Sequence, residues 1–207
     1  MTESTLYLAS ASPRRHEILQ QLGISHQVLD VPAPDGEDEP QLENETPADY
    51  VQRTAREKAI RATQWLSQIP MDADGPAAHH NDLVLAADTT VVLAGQIMGK
   101  PQDQAQAASM LRQLSGQTHH VHTAIVLAHQ GRLLEQVSIT EVKFSVLSDD
   151  DINAYCRSGE PMGKAGAYGI QGRAAAFIES ISGSYTGVMG LPAFETCQLL
   201  KIVQASH

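Results

Sequence analysis

Short apolar runs alternate along this chain with signals that begin a helix, and this alternation does most to restrict the fold. Leu6–Ala9 predicts a buried strand, and Ser12-Pro13 supplies an N-cap and a first-turn proline for a helix that stops at Gly23. Thr46-Pro47 opens a second helix, in which apolar residues recur at helical spacing. Strands that alternate with helices in this way indicate an α/β fold.

The rest of the chain continues the same pattern. Leu83–Ala87 predicts a continuous buried strand, and Val91–Leu93 followed by Ala94-Gly95 predicts a hairpin after it. A hairpin pairs antiparallel strands, so we expect a mixed sheet rather than a purely parallel one. Further helices are predicted at 104–114, 148–157 and 192–203, and further strands at 121–128 and 141–144. We expect a single domain over residues 1–207, with a central sheet flanked by helices.

Composition excludes several classes of protein. Among 207 residues, 24 are acidic and 14 are basic, and the resulting formal charge of −10 argues against a nucleic-acid partner. No apolar run approaches the roughly 20 residues of a membrane span, and the N-terminus lacks the pattern of a signal peptide. Cys156 and Cys197 are too far apart for a CxxC motif, which argues against a disulfide scaffold or a zinc ribbon. We therefore expect a cytoplasmic protein without membrane contacts.

The segment Ser10-Ala11-Ser12-Pro13-Arg14-Arg15 joins the first predicted strand to the first predicted helix. Free backbone N–H groups at a helix start carry partial positive charge and bind phosphate well. Two hydroxyls and two adjacent arginines add further donors, and arginine can bind phosphate oxygens in bidentate fashion. This motif alone is equally consistent with a phosphate site and with an ordinary capped helix carrying two solvated arginines.

A second group of polar residues begins at Asp88, which we expect at the end of a buried strand. A carboxylate there, beside the hydroxyl of Thr89, can hold a hard cation or orient a water molecule. An isolated aspartate at this position more often begins a turn. Lys100 lies in a rigid turn between a glycine and a proline, and Lys58 lies within the second predicted helix.

A third candidate is the segment Gly163–Gly172, in which four of ten residues are glycine. Glycine lets a backbone approach a ligand closely. The amide of Gln171 can both donate and accept hydrogen bonds at the edge of a nucleobase. A flexible surface loop is the alternative, but such loops rarely alternate glycine with tyrosine and isoleucine.

Two other kinds of site have less support. His119, His120 and His122 approach the spacing of zinc ligands, but no cysteine or carboxylate flanks them closely, so we expect exposed or capped strand histidines. A Ser-His-Asp hydrolase would be expected to carry a G-x-S-x-G motif, and the segment 182–184 does not have this pattern.

Taken in order, these segments resemble the Maf-type nucleoside triphosphate pyrophosphatases over almost the whole chain. The matching pieces are LYLASASPRRHEILQQLG, TAREKA, LAADTTV, GKP, LRQLSGQTHHVHTA, GKAGAYGIQG and SYTGVMGLP. The resemblance implies an elongated mixed α/β fold like that of the inosine triphosphatases, with one or two lobes around a nucleotide cleft. It also implies hydrolysis of a nucleoside triphosphate to the monophosphate and diphosphate, a divalent cation (Mg²⁺ or Mn²⁺), and a homodimer.

The same resemblance implies roles for individual residues. Asp88 is the expected proton acceptor for the attacking water. Asp88 and Glu37 are the expected cation ligands, with Asp38 and Glu39 as alternatives to Glu37. Four residues match positions expected to hold the triphosphate: Ser10, Arg15, Lys58 and Lys100.

Three further matches concern the choice of base. Arg14, Thr89 and Gln171 are similar to the subgroup that acts on dTTP and UTP, whereas the 7-methyl-GTP subgroup commonly has Trp, Gln and Glu there. The resemblance therefore implies turnover of dTTP, UTP and modified pyrimidine triphosphates. Two alternatives stay open: a nucleotide-binding regulator of cell division without turnover, and a purine-type enzyme acting on 7-methyl-GTP or inosine triphosphate.

Overall fold

A computed structural model describes residues 4–32, 39–69 and 82–205, and these residues form one layered α/β arrangement. The strands are β1 (Leu6–Leu8), β2 (Gln27–Val28), β3 (Leu83–Leu93), β4 (Gln96–Met98), β5 (Thr118–His129), β6 (Arg132–Phe144) and β7 (Ile178–Ser182). The α-helices are α1 (Pro13–Gln21), α2 (Pro47–Gln68), α3 (Gln104–Leu114), α4 (Asp149–Arg157), α5 (Tyr185–Met189) and α6 (Ala193–Gln204). Two short 3-10 helices cover Ala165–Ala167 and Arg173–Phe177.

The described strands form a single mixed sheet in the order β2-β1-β3-β5-β6-β7, with β4 paired to β3. β1 runs parallel to both of its neighbours, whereas β3, β5, β6 and β7 pair antiparallel. The predicted α/β class and the mixed sheet are therefore confirmed. The predicted hairpin is also confirmed, since β3 and β4 pair around the turn at Ala94-Gly95.

β3 separates two apolar layers, because successive side chains of a strand point to opposite faces of the sheet. On one face, Ala86 packs with Ala124 of β5 and with Ala55 and Ala59 of α2. On the other face, Leu85 and its alternate neighbours join the main core, which includes residues of α1, α3, α4 and α6. The alanines between α2 and the sheet are small, so this helix lies close to β3.

The helix starts follow local capping chemistry. Thr46 caps α2 through Asp49, whose backbone N–H donates to the Thr46 hydroxyl at 3.2 Å. Ser148 and Asp151 form a reciprocal capping box at the start of α4. Ser12 holds the N-cap position of α1 as predicted, but its side chain makes no capping hydrogen bond.

The strand that carries Asp88 is longer than the sequence suggested. β3 continues through Asp88 to Leu93, so the expectation that Asp88 stands at a strand end is wrong. The continuation is built from Thr89, Thr90, Val91 and Val92, whose β-branched side chains favour extended backbone. Likewise, the predicted strand 141–144 is only the last part of β6. Sequence reasoning missed the short elements β2, β7 and α5.

In the described ranges, no helix combines the length and apolar character required to cross a membrane.

Candidate active site

A pocket of about 470 Å³ opens where α1, α2, β3 and the glycine-rich segment 163–171 meet. It brings together residues from opposite ends of the chain. Eight of the nine predicted site residues line it: Ser10, Arg14, Arg15, Lys58, Asp88, Thr89, Lys100 and Gln171. The ninth, Glu37, lies outside the described residues.

Asp88 projects from β3 towards α2 and is only 5% exposed. Its Oδ1 accepts a hydrogen bond from Lys58 Nζ at 2.7 Å, and its Oδ2 accepts one from Thr54 Oγ1 at 2.9 Å. Burial raises the pKa of Asp88, but the ammonium of Lys58, the charge of Arg15 and the Thr54 hydroxyl outweigh it, so the pKa lies below its ordinary value. The carboxyl group is therefore ionised at neutral pH.

Lys58 contacts a second carboxylate, that of Glu39. The two alternatives that sequence reasoning left beside Glu37 thus have different outcomes: Asp38 lies outside the described residues, and Glu39 lines the pocket. The segment that carries Glu39 is tied to α2, since Tyr50 Oη donates to the Glu39 carbonyl at 3.2 Å and Arg53 Nη2 donates to the Pro40 carbonyl at 2.8 Å. Helix α2 therefore holds the segment that carries Glu39 and also supplies the hydrogen-bond donors to Asp88.

Arg15 meets β3 at Thr89, whose side chain points to the opposite face of the strand from that of Asp88, and it spreads its guanidinium over three partners. Its Nε donates to the Gly190 carbonyl at 2.8 Å, its Nη1 to Ser10 Oγ at 3.0 Å, and its Nη2 to Thr89 Oγ1 at 3.3 Å. Burial lowers the pKa of Arg15, yet a guanidinium titrates too high to lose its charge. Arg15 thus presents a fixed positive charge at the join of β1, α1 and β3.

The carbonyl groups at the C-terminal end of α5 complete this side of the pocket. Arg14 Nε donates to the Met189 carbonyl at 3.3 Å, next to the carbonyl that Arg15 uses. Gly190 has φ +113, and a Cβ there would lie 3.4 Å from Arg15 Nε, so glycine suits both the backbone and the space. Behind them, the buried hydroxyl of Thr123 lies 2.8 Å from the Gly187 carbonyl and 3.0 Å from Thr89 Oγ1.

The glycine-rich segment borders the pocket opposite α2. Gly166 has φ +65, and a Cβ there would lie 2.9 Å from the Val91 side chain, so only glycine lets the segment lie against β3. The Gly166 N–H donates to the Gly99 carbonyl at 3.1 Å, which ties the segment to the turn that carries Lys100. Gln171 and Lys100 are exposed at this rim of the pocket.

Lys164 was not singled out from the sequence, yet it lines the pocket beside these residues. Its ammonium donates to the Glu160 carbonyl. Burial, and then the nearby charge of Arg14, lowers the pKa of Lys164. Thr54, Thr123 and Glu160 were also missed. Only Thr54 left a usable signal, because it precedes Lys58 by four residues and so shares its face of α2.

The three histidines do not form a zinc site. His119 is fully buried, its Nε2 lies 2.8 Å from Tyr168 Oη, and burial lowers its pKa to about 4, so the expectation of an exposed or capped histidine is wrong there. His120 projects to the other face of β5, where it is exposed. Within 4–32, 39–69 and 82–205, no group of three His, Cys, Asp or Glu side chains could hold a metal ion.

The arrangement suits a highly anionic ligand that must react with water. Six basic side chains line the pocket: Arg14, Arg15, Lys58, Arg61, Lys100 and Lys164. Preorganised cations of this kind stabilise negative charge that grows during phosphoryl transfer. The ionised Asp88 lies among them and can accept a proton.

Comparisons with known proteins agree with this description. A family model described as Maf-like protein matches residues 5–203. The curated dTTP/UTP pyrophosphatase of Bordetella parapertussis is 58% identical over 198 residues, which cover 95% of this chain and 91% of that protein. The protein of the same name from Aromatoleum aromaticum is 50% identical, and the match covers 96% of this chain and 95% of that protein. The one from Nitrosomonas europaea is 49% identical, and the match covers 95% of this chain and 93% of that protein. The chain therefore belongs to the Maf-like protein family.

Proposed function

We propose that this chain hydrolyses dTTP and UTP, and modified pyrimidine triphosphates, to the nucleoside monophosphate and diphosphate. The observation that carries this proposal is a buried, ionised Asp88 in a pocket lined by six basic side chains. The names of relatives at 49–58% identity support it.

In this reaction the basic side chains bind and orient the triphosphate. Arg15 and the start of α1 offer donors from one side, and Lys100 offers its ammonium from the other. Lys58, which contacts Glu39 and Asp88 in the structure, can turn its ammonium to the phosphate chain when substrate arrives. These charges favour the diphosphate leaving group as its negative charge grows.

Asp88 acts on the attacking water. Its carboxylate accepts a hydrogen bond from the water and takes the proton as the water oxygen bonds to the α-phosphorus. The bond from the α-phosphorus to the bridging oxygen breaks, and its electron pair leaves with the diphosphate. The low pKa of Asp88 keeps it in the ionised form that this step requires.

The residues present fit a divalent cation. The carboxylates of Asp88 and Glu39 both contact Lys58, so their oxygens converge on one point of the pocket. Mg²⁺ is commonly held by one or two carboxylates together with substrate phosphates, which matches this donor set. Asp88 and Glu39 would hold the ion, and Glu37 stays a prediction. Bound there, the ion supplies charge neutralisation and polarisation of the α-phosphate.

Arg14, Thr89 and Gln171 are the residues we propose for base preference. They lie around the same pocket, and Gln171 is exposed at its rim, where its amide can pair with a base edge. A purine in this position leaves polar groups of the pocket without partners, which disfavours its turnover.

Diphosphate release from a panel of dTTP, UTP, CTP, inosine triphosphate and 7-methyl-GTP tests the proposal. Each substrate is assayed with Mg²⁺, with Mn²⁺ and with a chelator. We expect selective turnover of dTTP and UTP that the chelator abolishes. Turnover of purines alone would contradict the base preference, and binding without turnover of any substrate would favour a nucleotide-binding regulator.

The proposal also includes a cytoplasmic homodimer that binds neither nucleic acid nor membrane. The resemblance supports the dimer, and the formal charge of −10 supports the absence of a nucleic-acid partner. Light scattering on the purified protein should give twice the 22.3 kDa mass of the chain. A monomer mass at micromolar concentration would contradict the dimer.

A further inference from the structure

Thr54 is a buried hydroxyl residue in the middle of α2, only 1% exposed. It lies one helical turn before Lys58, so both side chains share one face of the helix. Each contacts a different oxygen of the same carboxylate: Thr54 Oγ1 lies 2.9 Å from Asp88 Oδ2, and Lys58 Nζ lies 2.7 Å from Asp88 Oδ1.

A local explanation for Thr54 has to be weighed first, because threonine in a helix often donates to the carbonyl one turn earlier. The Tyr50 and Val51 carbonyls lie 3.0 and 3.1 Å from Thr54 Oγ1. A hydroxyl has one proton and can donate one such bond. Both carbonyls lie within α2, where they accept backbone N–H bonds already, whereas Asp88 is an ionised acceptor in a buried site. The proton therefore belongs to Asp88, since charge-assisted bonds are the stronger ones.

The packing around Thr54 presets this contact. Ala55 and Ala59 face Ala86 across the contact between α2 and β3, and their small size brings the helix within reach of a short side chain. The rotation of α2 is held as well, because Gln52 and Arg56 both bind Glu135 of β6, at 2.8 and 2.6 Å. A β-branched side chain has few rotamers, so the hydroxyl direction follows from the helix position.

We propose that Thr54 is a positioning residue for Asp88: it holds Oδ2 so that the carboxylate keeps its orientation when Lys58 moves to the substrate. The inference rests on the proposed function. Lys58 alone cannot supply this orientation, because its flexible ammonium is shared with Glu39 and is drawn to phosphate. Thr54 is buried behind Asp88 and is not among the residues that line the pocket, so in this proposal it acts through Asp88.

The test compares three variants on the intact chain. Thr54→Val keeps the shape and removes the hydroxyl, Thr54→Ser keeps the hydroxyl, and Thr63→Val is the matched control. Thr63 lies on the same helix, but it is exposed and its hydroxyl donates to the Ala59 carbonyl at 2.8 Å. We expect Thr54→Val to lower kcat for dTTP about tenfold with little change in KM. This is the size of effect expected when one hydrogen bond to a charged group is lost. Thr54→Ser should retain most of kcat, and Thr63→Val should match the unaltered protein.

A second measurement does not depend on turnover. The carboxyl carbon of Asp88 is followed by NMR in ¹³C-labelled protein and identified by its loss in Asp88→Asn. We expect its chemical shift to change in Thr54→Val and to stay near the original value in Thr54→Ser. An unchanged shift in Thr54→Val would overturn the inference, as would full activity of Thr54→Val, an equal loss in Thr54→Ser, or a change confined to KM.

The two proposals fail in different ways. If the unaltered protein releases no diphosphate from any triphosphate, the proposed function is wrong, and the Asp88 signal still decides whether Thr54 holds that carboxylate. If the unaltered protein is active and Thr54→Val equals it, only the role of Thr54 is wrong. Thermal unfolding of each variant shows whether a lost activity comes from a lost fold.

Discussion

The two faces of β3 around Asp88 and Thr89 are built in different ways. On the Asp88 face, one long helix supplies every described partner of the carboxylate, since Thr54 and Lys58 both belong to α2. On the Thr89 face, Arg15 is held by a hydroxyl from the segment after β1, by Thr89 itself and by a carbonyl after α5. Adjacent residues of a single strand thus enter two unlike environments because strand side chains alternate.

A site built in this way can divide its tasks between two kinds of scaffold. Regular elements packed through small side chains hold their groups in one geometry, which suits a proton acceptor whose direction matters. Turns and glycine-rich segments contribute backbone carbonyls and short polar side chains, which suit the recognition of a particular base. We therefore expect substitutions on the Asp88 face to lower kcat and substitutions on the Thr89 face to change KM or substrate preference.

The largest effect should come from Asp88→Asn. The amide keeps the shape of the carboxylate but cannot take the proton from water, so kcat for dTTP should fall at least about 100-fold. Nucleotide binding, measured by calorimetry, should persist because the basic residues remain. Asp150→Asn, at an exposed position of α4, is the control for loss of one acidic charge. An Asp88→Asn protein with unchanged kcat would refute the role of Asp88 as proton acceptor.

A smaller effect, of a different kind, should follow Arg15→Lys. Lysine keeps the charge but cannot reach Gly190, Ser10 and Thr89 together, because it lacks the planar fork of arginine. We expect KM for dTTP to rise about tenfold, with a smaller fall in kcat. Arg112→Lys, on the surface of α3, serves as the matched control. Equal losses in kcat from Arg15→Lys and Asp88→Asn would remove the distinction between the two faces.

The change Gln171→Glu should alter the choice of substrate. It replaces an amide that both donates and accepts with a carboxylate that only accepts. We expect the ratio of kcat/KM for UTP to that for inosine triphosphate to fall several-fold, about what one or two altered polar contacts contribute. Gln113→Glu, exposed on α3, should leave the ratio unchanged. A uniform loss on all substrates would instead indicate a general electrostatic effect at the pocket rim.

The last effect concerns stability rather than activity on the Thr89 face, where His119 of β5 contacts Tyr168 of the pocket. Burial, with a smaller contribution from the charge of His120, lowers the pKa of His119 from 6.5 to about 4, so the unfolded chain takes up a proton that the folded chain refuses. This part of the stability is present above pH 6.5 and is lost as the pH falls towards 4, by about 2 to 3 kcal/mol.

Urea unfolding at pH 7 and pH 4.5 measures this difference in His119→Gln against the unaltered protein. The variant should lose less free energy of unfolding between the two pH values, because it lacks the titrating group. His120→Gln, exposed on the same strand, should lose almost as much as the unaltered protein, because it leaves the burial of His119 unchanged. An identical loss in all three proteins would show that the buried His119 does not carry this pH dependence.

Much of the architecture followed from local signals. Proline and hydroxyl residues at helix starts, and apolar runs between them, predicted α1, α2 and β3, because capping and burial act over a few neighbouring residues. The extent of β3 was missed for the same reason: the apolar run ends before Asp88, and only pairing with β5 shows that the strand continues. The pairs Asp88↔Ala124 and Thr89↔Thr123 lie within that ladder.

The residue types available for the site, and the segments that form helix or strand, can be read from the sequence, since these depend on short-range chemistry. Which of those residues meet depends on the packing of the whole chain. Arg15 and Gly190 are separated by 175 positions, Thr54 and Asp88 by 34, and no local pattern relates them. Their contacts depend on how closely α2 packs on β3 and where α5 ends, and packing of that kind is a property of the whole core.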